Sequence, residues 1–257
     1  MEMPVKLFPN GNFAKKIKLP GKKNIVQLVQ ILNGERRILT RCVIARRCKA
    51  PTKQSQKQFY VKTSERLLWS LTLPHNDVTL IIDPGHGGKE HGTHSPKGIP
   101  EKYFNLQIAK MVVESCNGMT LQGEYYLTRS IDKFISLKDR VQFAKKKKCN
   151  IFISIHHNAL PDNEDPLKHK GVGIYYTNDF VKPLAKSILK TISQETGLKQ
   201  YGVFERNFAV TKPDFYYGIL IECGFLIHPL EAEIITKPQM QKKIADAIVK
   251  GLSVIIS

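Results

Sequence analysis

The chain has 257 residues, of which 42% are hydrophobic, enough to bury a core in one large domain with an appendage and too many for a largely disordered protein. Its formal charge is +18, unevenly placed: residues 1–77 hold 16 Lys/Arg against 4 Asp/Glu (+12), and residues 78–257 hold 24 against 18 (+6). So basic a first third attracts nucleic acid, anionic lipid or wall polymers through long-range electrostatics, and charge alone does not choose among these or exclude a merely solvated surface.

Residues 1–21 contain Lys6, Lys15, Lys16, Lys18 and Pro20 and lack the apolar stretch of a secretory signal. Apolar stretches at 24–32 and 37–45, followed by a Lys- and Gln-rich segment at 49–58, read as a small β-rich module and a linker. No run reaches the roughly 18 apolar residues that cross a membrane. Five cysteines without metal-ligand spacing (Cys42, Cys48, Cys116, Cys149, Cys223) do not form a disulfide framework. No zinc finger, basic zipper or aromatic RNA-binding signature accompanies the positive charge, so no nucleic-acid partner is expected.

From Val78 the pattern changes. Residues 78–83 are a short apolar run ending in Pro84-Gly85-His86-Gly87-Gly88, which fits a buried strand delivering a glycine-rich turn. Residues 101–115 place Phe104, Ile108, Met111 and Val112 on one helical face, 124–128 reads as a strand, and Ser136 with Asp139 starts a capped helix through Lys147. Further strands are expected at 150–155, 171–176 and 218–222. Helices are expected around Val181–Ile192 and Met240–Leu252. This alternation predicts an α/β fold, a mostly parallel twisted sheet with helices on both faces, over residues 78–257, preceded by a small basic region and linker at 1–77.

In such sheets ligands sit beyond the carboxyl ends of the strands. His86 follows the first strand, His156 the 150–155 strand, and Glu222 closes an otherwise apolar run. A catalytic zinc needs about three nitrogen or oxygen ligands and an open position, which His86, Glu101 and His156 could supply. Glycines around His86 leave room for substrate, and Glu101 opens a helix whose amides favour negative charge. A buried carboxylate at Glu222 demands a nearby cation or a functional proton.

These residues resemble the zinc-dependent N-acetylmuramoyl-L-alanine amidases of bacterial cell separation. The matching stretches are 82–88 (Ile-Asp-Pro-Gly-His-Gly-Gly), Glu101-Lys102 with Asn105-Leu106, 126–129, 137–144, 152–158 (Phe-Ile-Ser-Ile-His-His-Asn), 171–176 and 220–225, in family order across about 78–257. The resemblance implies one zinc per chain on His86, Glu101 and His156, with Glu222 as catalytic acid/base. It also implies peptidoglycan or muropeptides as substrate and a periplasmic or cell-envelope workplace. Asn158 is a candidate for orienting substrate or for capping a loop. Glu90-His91 stand where the family usually has Asp-Pro, and His157 where it has a small residue, so His157 could add a hydrogen bond or compete as a ligand.

Some members of that family insert a regulatory helix that covers the zinc until an activator displaces it. Here residues 159–170, with Pro161, Asp162, Asn163, Asp165 and Pro166, read as a loop, so an open site with no obligate activator is expected. A zinc peptidase acting on another wall amide is an alternative, because the ligands specify the reaction more tightly than the substrate. A non-catalytic wall-binding protein is a second alternative, opposed by the intact set of four residues. A separate serine chemistry is suggested by Ser187 and Lys190, a Ser-x-x-Lys element, with Ser115-Cys-Asn117 and Lys62-Thr-Ser64 resembling companion motifs of penicillin-binding enzymes.

Overall fold

The computed structural model describes residues 6–7, 12–18, 24–32, 35–44, 78–118, 123–161 and 163–256, with side chains described between 78 and 253. The chain divides into two compact units, Met1–Leu71 and Thr72–Ser257. The described residues of the first form four strands, β1 (Lys6–Leu7), β2 (Asn12–Lys18), β3 (Asn24–Leu32) and β4 (Glu35–Ile44), paired antiparallel in chain order. The expected linker at 49–58 lies outside the described residues.

The second unit is a six-stranded sheet with helices. Its strands are β5 (Val78–Pro84), β6 (Gly123–Leu127), β7 (Ile151–Asn158), β8 (Val172–Tyr176), β9 (Gln200–Glu205) and β10 (Tyr217–Phe225), in the order β6-β5-β7-β10-β8-β9. Every adjacent pair is parallel except β10 and β8. The helices are α1 (Glu101–Gly118), α2 (Leu137–Lys146), α3 (Lys182–Thr196), α4 (Pro229–Ile235) and α5 (Pro238–Ile256). Among the described residues no helix is long and apolar enough to cross a membrane.

Period-two alternation sorts the strand residues between two cores. On β10, Ile219, Ile221 and Cys223 join Ile108 and Val112 of α1, Ile188 of α3 and Ile244 and Ile248 of α5 in the larger core. Leu220 faces the other way and packs with Ile81, Phe152, Ala144 of α2 and Tyr216. Each fully buried aliphatic side chain contributes about 1.5–3 kcal/mol, so both faces are needed to hold the sheet. The central strands are buried on both faces, and they read in sequence as continuous apolar runs for that reason.

Four elements differ from the expectation. β9 was not anticipated, because Gly202 interrupts a short edge strand of mixed polarity. The terminal helix is preceded by a separate α4, where the His228 side chain accepts from the Glu231 amide and Pro229 occupies the first turn. β10 extends to Phe225 and β7 to Asn158, so Glu222 and His156 lie within strands and not after them. The expected cap is present at α2: Ser136 Oγ accepts from the Asp139 amide at 3.1 Å.

Candidate functional site

His86 sits one turn beyond β5 with φ at 58°, in the left-handed region that costs a non-glycine residue of order 1–3 kcal/mol. Two buried arginines hold it there. Arg129 donates through Nε to the Pro84 carbonyl (3.0 Å) and through Nη2 to those of Gly85 (2.8 Å) and Lys102 (2.9 Å). Arg140 donates to the carbonyls of Pro84 (2.9 Å) and His86 (2.8 Å) and forms an ion pair with buried Asp83. Asp83 also accepts from Thr128 Oγ1 and Ser154 Oγ. Burial lowers the Arg129 pKa to about 10, with Arg140 adding to the effect. It stays charged at neutral pH.

Glu101 opens α1, buried, and its carboxylate is densely coordinated. Oε1 accepts from Asn105 Nδ2 and from the His157 amide, both at 2.9 Å, and lies 3.1 Å from His156 Nδ1. Oε2 accepts from the Thr93 amide at 3.0 Å and lies 3.2 Å from His86 Nε2. Burial, the largest single influence, acts to raise its pKa. The hydrogen bonds and charges of His156 and His86 together outweigh it and hold the carboxyl well below the usual range. Ligand atoms of His86, Glu101 and His156 lie within 4.8 Å of one another, a group able to hold a metal ion. The two imidazoles meet edge to face with centroids 4.9 Å apart. A Cβ at Gly85 would run into the His156 ring, so only glycine fits beside it.

His157 points to the opposite sheet face and is not part of that group. Asn105 uses Nδ2 as donor to Glu101 and to the Gly85 carbonyl (3.3 Å), so its Oδ1 accepts from His157 Nδ1 at 2.8 Å. Of the two roles open to His157 in the sequence, the structure shows the hydrogen bond. Burial, opposed by the charge of Glu101, lowers its pKa to about 4, so the ring is neutral at physiological pH. Its Nε2 is buried without a partner.

Glu222 is in register with His156 across β10 and β7 and with Gly173 across β10 and β8. Its Oε2 is buried and makes no hydrogen bond. Burial first, and the negative charge of Glu101 second, push its pKa well above the ordinary carboxyl value. Asn158 ends β7, where its Oδ1 accepts from the Ala159 amide at 2.9 Å.

Ser187 lies on α3, where Oγ donates to the Gly251 carbonyl of α5 at 3.2 Å, while Lys190 is exposed. Ser115 lies on α1 and donates to Asp246 Oδ1 at 2.6 Å, so the structure does not bring Ser187 and Ser115 to the histidine cluster. Lys62-Thr-Ser64 falls outside the described residues. Sequence reasoning did not single out Asp83, Arg129, Arg140 or the Asn105–His157 pair. Long-range pairing carries no local pattern, and charged residues at 129 and 140 are the one visible trace.

Residues 159–170, of which all but 162 are described, contain turns and bends and no helix. Cys116, Cys149 and Cys223 are free and buried.

A mostly parallel α/β domain with two histidines and a glutamate gathered at the carboxyl ends of its strands, beside a half-buried second glutamate whose Oε2 is buried, defines the class. The chain belongs to the family described as N-acetylmuramoyl-L-alanine amidase (Amidase_3), whose profile matches residues 80–254. The "Probable cell wall amidase LytH" of Staphylococcus epidermidis is 31% identical over 182 residues, covering 70% of this chain and 58% of that protein. The N-acetylmuramoyl-L-alanine amidase LytC of Bacillus subtilis is 33% identical over 177 residues, covering 67% and 34%. The chain thus spans little more than half of the first of these curated relatives and a third of the second. Among solved structures, an N-acetylmuramoyl-L-alanine amidase from Clostridium difficile 630 matches with a TM-score of 0.65 and 36% identity, covering 69% of this chain and 96% of that one.

Proposed function

We propose that this chain hydrolyses the amide bond between the lactyl group of N-acetylmuramic acid and the first L-alanine of the peptidoglycan stem peptide, with one zinc ion per chain. The observation that carries the reading is the His86–Glu101–His156 cluster with Glu222 in register beside His156. Two imidazole nitrogens and a carboxylate are the donor set of catalytic zinc sites, and the compact spacing of their atoms fits one ion. When bound, zinc polarises the scissile carbonyl and lowers the pKa of water toward ~7.

The chain's own residues supply the rest. Asn105 and the His157 amide fix the Glu101 carboxylate, so the ligand set is held before any ion arrives. Glu222 accepts the proton of the attacking water and passes it to the leaving amine of L-alanine. Burial favours its protonated form, and a cation held by His86, Glu101 and His156 would stabilise the ionised form, which would bring both states within reach. Its seat in β10 holds the carboxyl still for both transfers.

Residues 78–257 form the catalytic domain in this reading, and residues 1–77 are a basic region and linker suited to anionic wall polymers. The workplace is the cell envelope, the periplasm where one exists, in wall remodelling or cell separation.

The test is digestion of purified peptidoglycan and a soluble muropeptide, with and without chelator, followed by mass spectrometry of the products. A new L-alanine amino terminus, abolished by chelation, is expected. Glu222→Gln keeps its metal and loses about 10²-fold or more in turnover. A new terminus elsewhere, insensitivity to chelator or a fully active Glu222→Gln would refute the assignment.

A further inference from the structure

East of the proposed centre, the sheet face changes character. The row that contains His156 and Glu222 continues onto β8 and β9 as Gly173 and Gly202, which pair with each other. Aromatic rings rest on both glycines. A Cβ at Gly202 would lie 2.6 Å from Phe204 Cζ, and one at Gly173 would lie 3.3 Å from Tyr201 Cδ1 and 3.5 Å from Tyr175 Cε2. Rings laid over glycines cover the sheet with one side and turn the other away from it.

The rings form a connected group. Tyr175 and Phe204 stack at 5.3 Å with planes 29° apart, and Tyr201 lies 5.2 Å from Phe204. Phe208, exposed, meets Tyr175 edge to face at 5.6 Å. Tyr201 packs against Phe225 and His169 behind it, which keeps it from swinging away. Tyr175, Tyr201 and Phe204 are half-buried, so part of each is open to solvent. Tyr175 joins the group to the centre, because it lies two residues along β8 from Gly173, the strand partner of Glu222.

We propose that Tyr175, Tyr201 and Phe204 form a stacking platform for a pyranose ring of the glycan strand, next to the scissile amide. This rests on the amidase reading above and adds which side of the centre receives the sugars. Partly exposed aromatic rings with phenol groups at their margin match a pyranose, which has apolar C–H faces and a polar rim.

The 257-residue, zinc-loaded chain is titrated with N-acetylchitotetraose, a peptide-free glycan, and binding is read by saturation-transfer NMR. Wild type binds; Tyr201→Ala and Phe204→Ala weaken binding about tenfold or more, and Phe204→Tyr retains it. Gly173→Ala has no positive φ to contend with, and adds a methyl beneath Tyr201 and Tyr175 that lifts the rings and weakens binding as well. Circular dichroism verifies that each variant is folded. No binding by wild type, undiminished binding by the folded alanine variants, or displacement of the sugar by an L-Ala-D-Glu peptide would overturn the platform. Product analysis separates the two claims. Hydrolysis without glycan binding removes the platform alone, whereas glycan binding without hydrolysis removes the amidase reading and leaves the platform standing.

Discussion

Replacing Glu222 with Gln is expected to stabilise the metal-free protein, by an amount that grows with pH. Glu222 Oε2 is buried without a hydrogen bond, and burial together with Glu101 raises its pKa well above the ordinary carboxyl value of about 4.5. In the unfolded chain the carboxyl ionises near that value, so above it the unfolded state has lost a proton that the folded state keeps. Ionisation therefore favours unfolding, and wild type loses stability as pH rises from about 4.5 to the folded pKa. The slope is about 1.4 kcal/mol per pH unit in that window. For a domain of this size it corresponds to about 3–6 °C in Tm per unit. Gln cannot ionise and escapes the loss. Thermal melts of chelated wild type and Glu222→Gln at pH 4.5 to 8 should coincide at the acid end and diverge toward alkaline pH, with the variant higher. A constant difference across that range, or a variant less stable at pH 8, would show that Glu222 is not held protonated by its surroundings.

Arg140→Met should lower stability by about 3–5 kcal/mol, because it leaves the buried Asp83 carboxylate without its cation and releases the His86 carbonyl; denaturant melts measure this. Asn105→Ala removes the donor that orients Glu101, and calorimetric titration with zinc should show affinity reduced about 10–100-fold. The short, helix-free segment 159–170 leaves no element of its own to cover the site, so hydrolysis of muropeptide should proceed without a partner protein. A basal rate near zero that rises by orders of magnitude on adding a partner would place inhibition elsewhere, and deletion of residues 1–77 would test that region first.

Much of the second unit was legible because it obeys local rules. Ile81 and Ile82 precede a turn that only glycines permit, and Ser136 announces α2. His86, His156 and Glu222 stand out because polar residues at the ends of apolar runs need a reason. Glu101 was visible as an acid at a helix start. The rest depends on distance in sequence. Nothing within ten residues of Asp83 foretells Arg140, 57 positions away, and nothing near Asn105 foretells His157, 52 positions away. The reversal of β8 and the edge strand β9 were hidden too. An apolar strand has the same composition in either direction, and Gly202 makes β9 look like a turn.

The reversed direction of β8 also decides where this fold can accept new material. The segment from Asn158 to Val172 leaves β7 at the carboxyl ends of the parallel strands. It re-enters the sheet at the same end, because β8 pairs antiparallel with β10, which lies between β7 and β8. It is therefore a bridge over the end of β10, and lengthening it alters neither strand order nor register. Closure entropy rises by only about 0.6 kcal/mol for each doubling of such a loop. A grafted sensor domain, a peptide tag or a light-responsive insert at residues 163–168 would hang beside Glu222 while the sheet beneath kept its registration, which makes this bridge the natural port for building an externally controlled form of the protein.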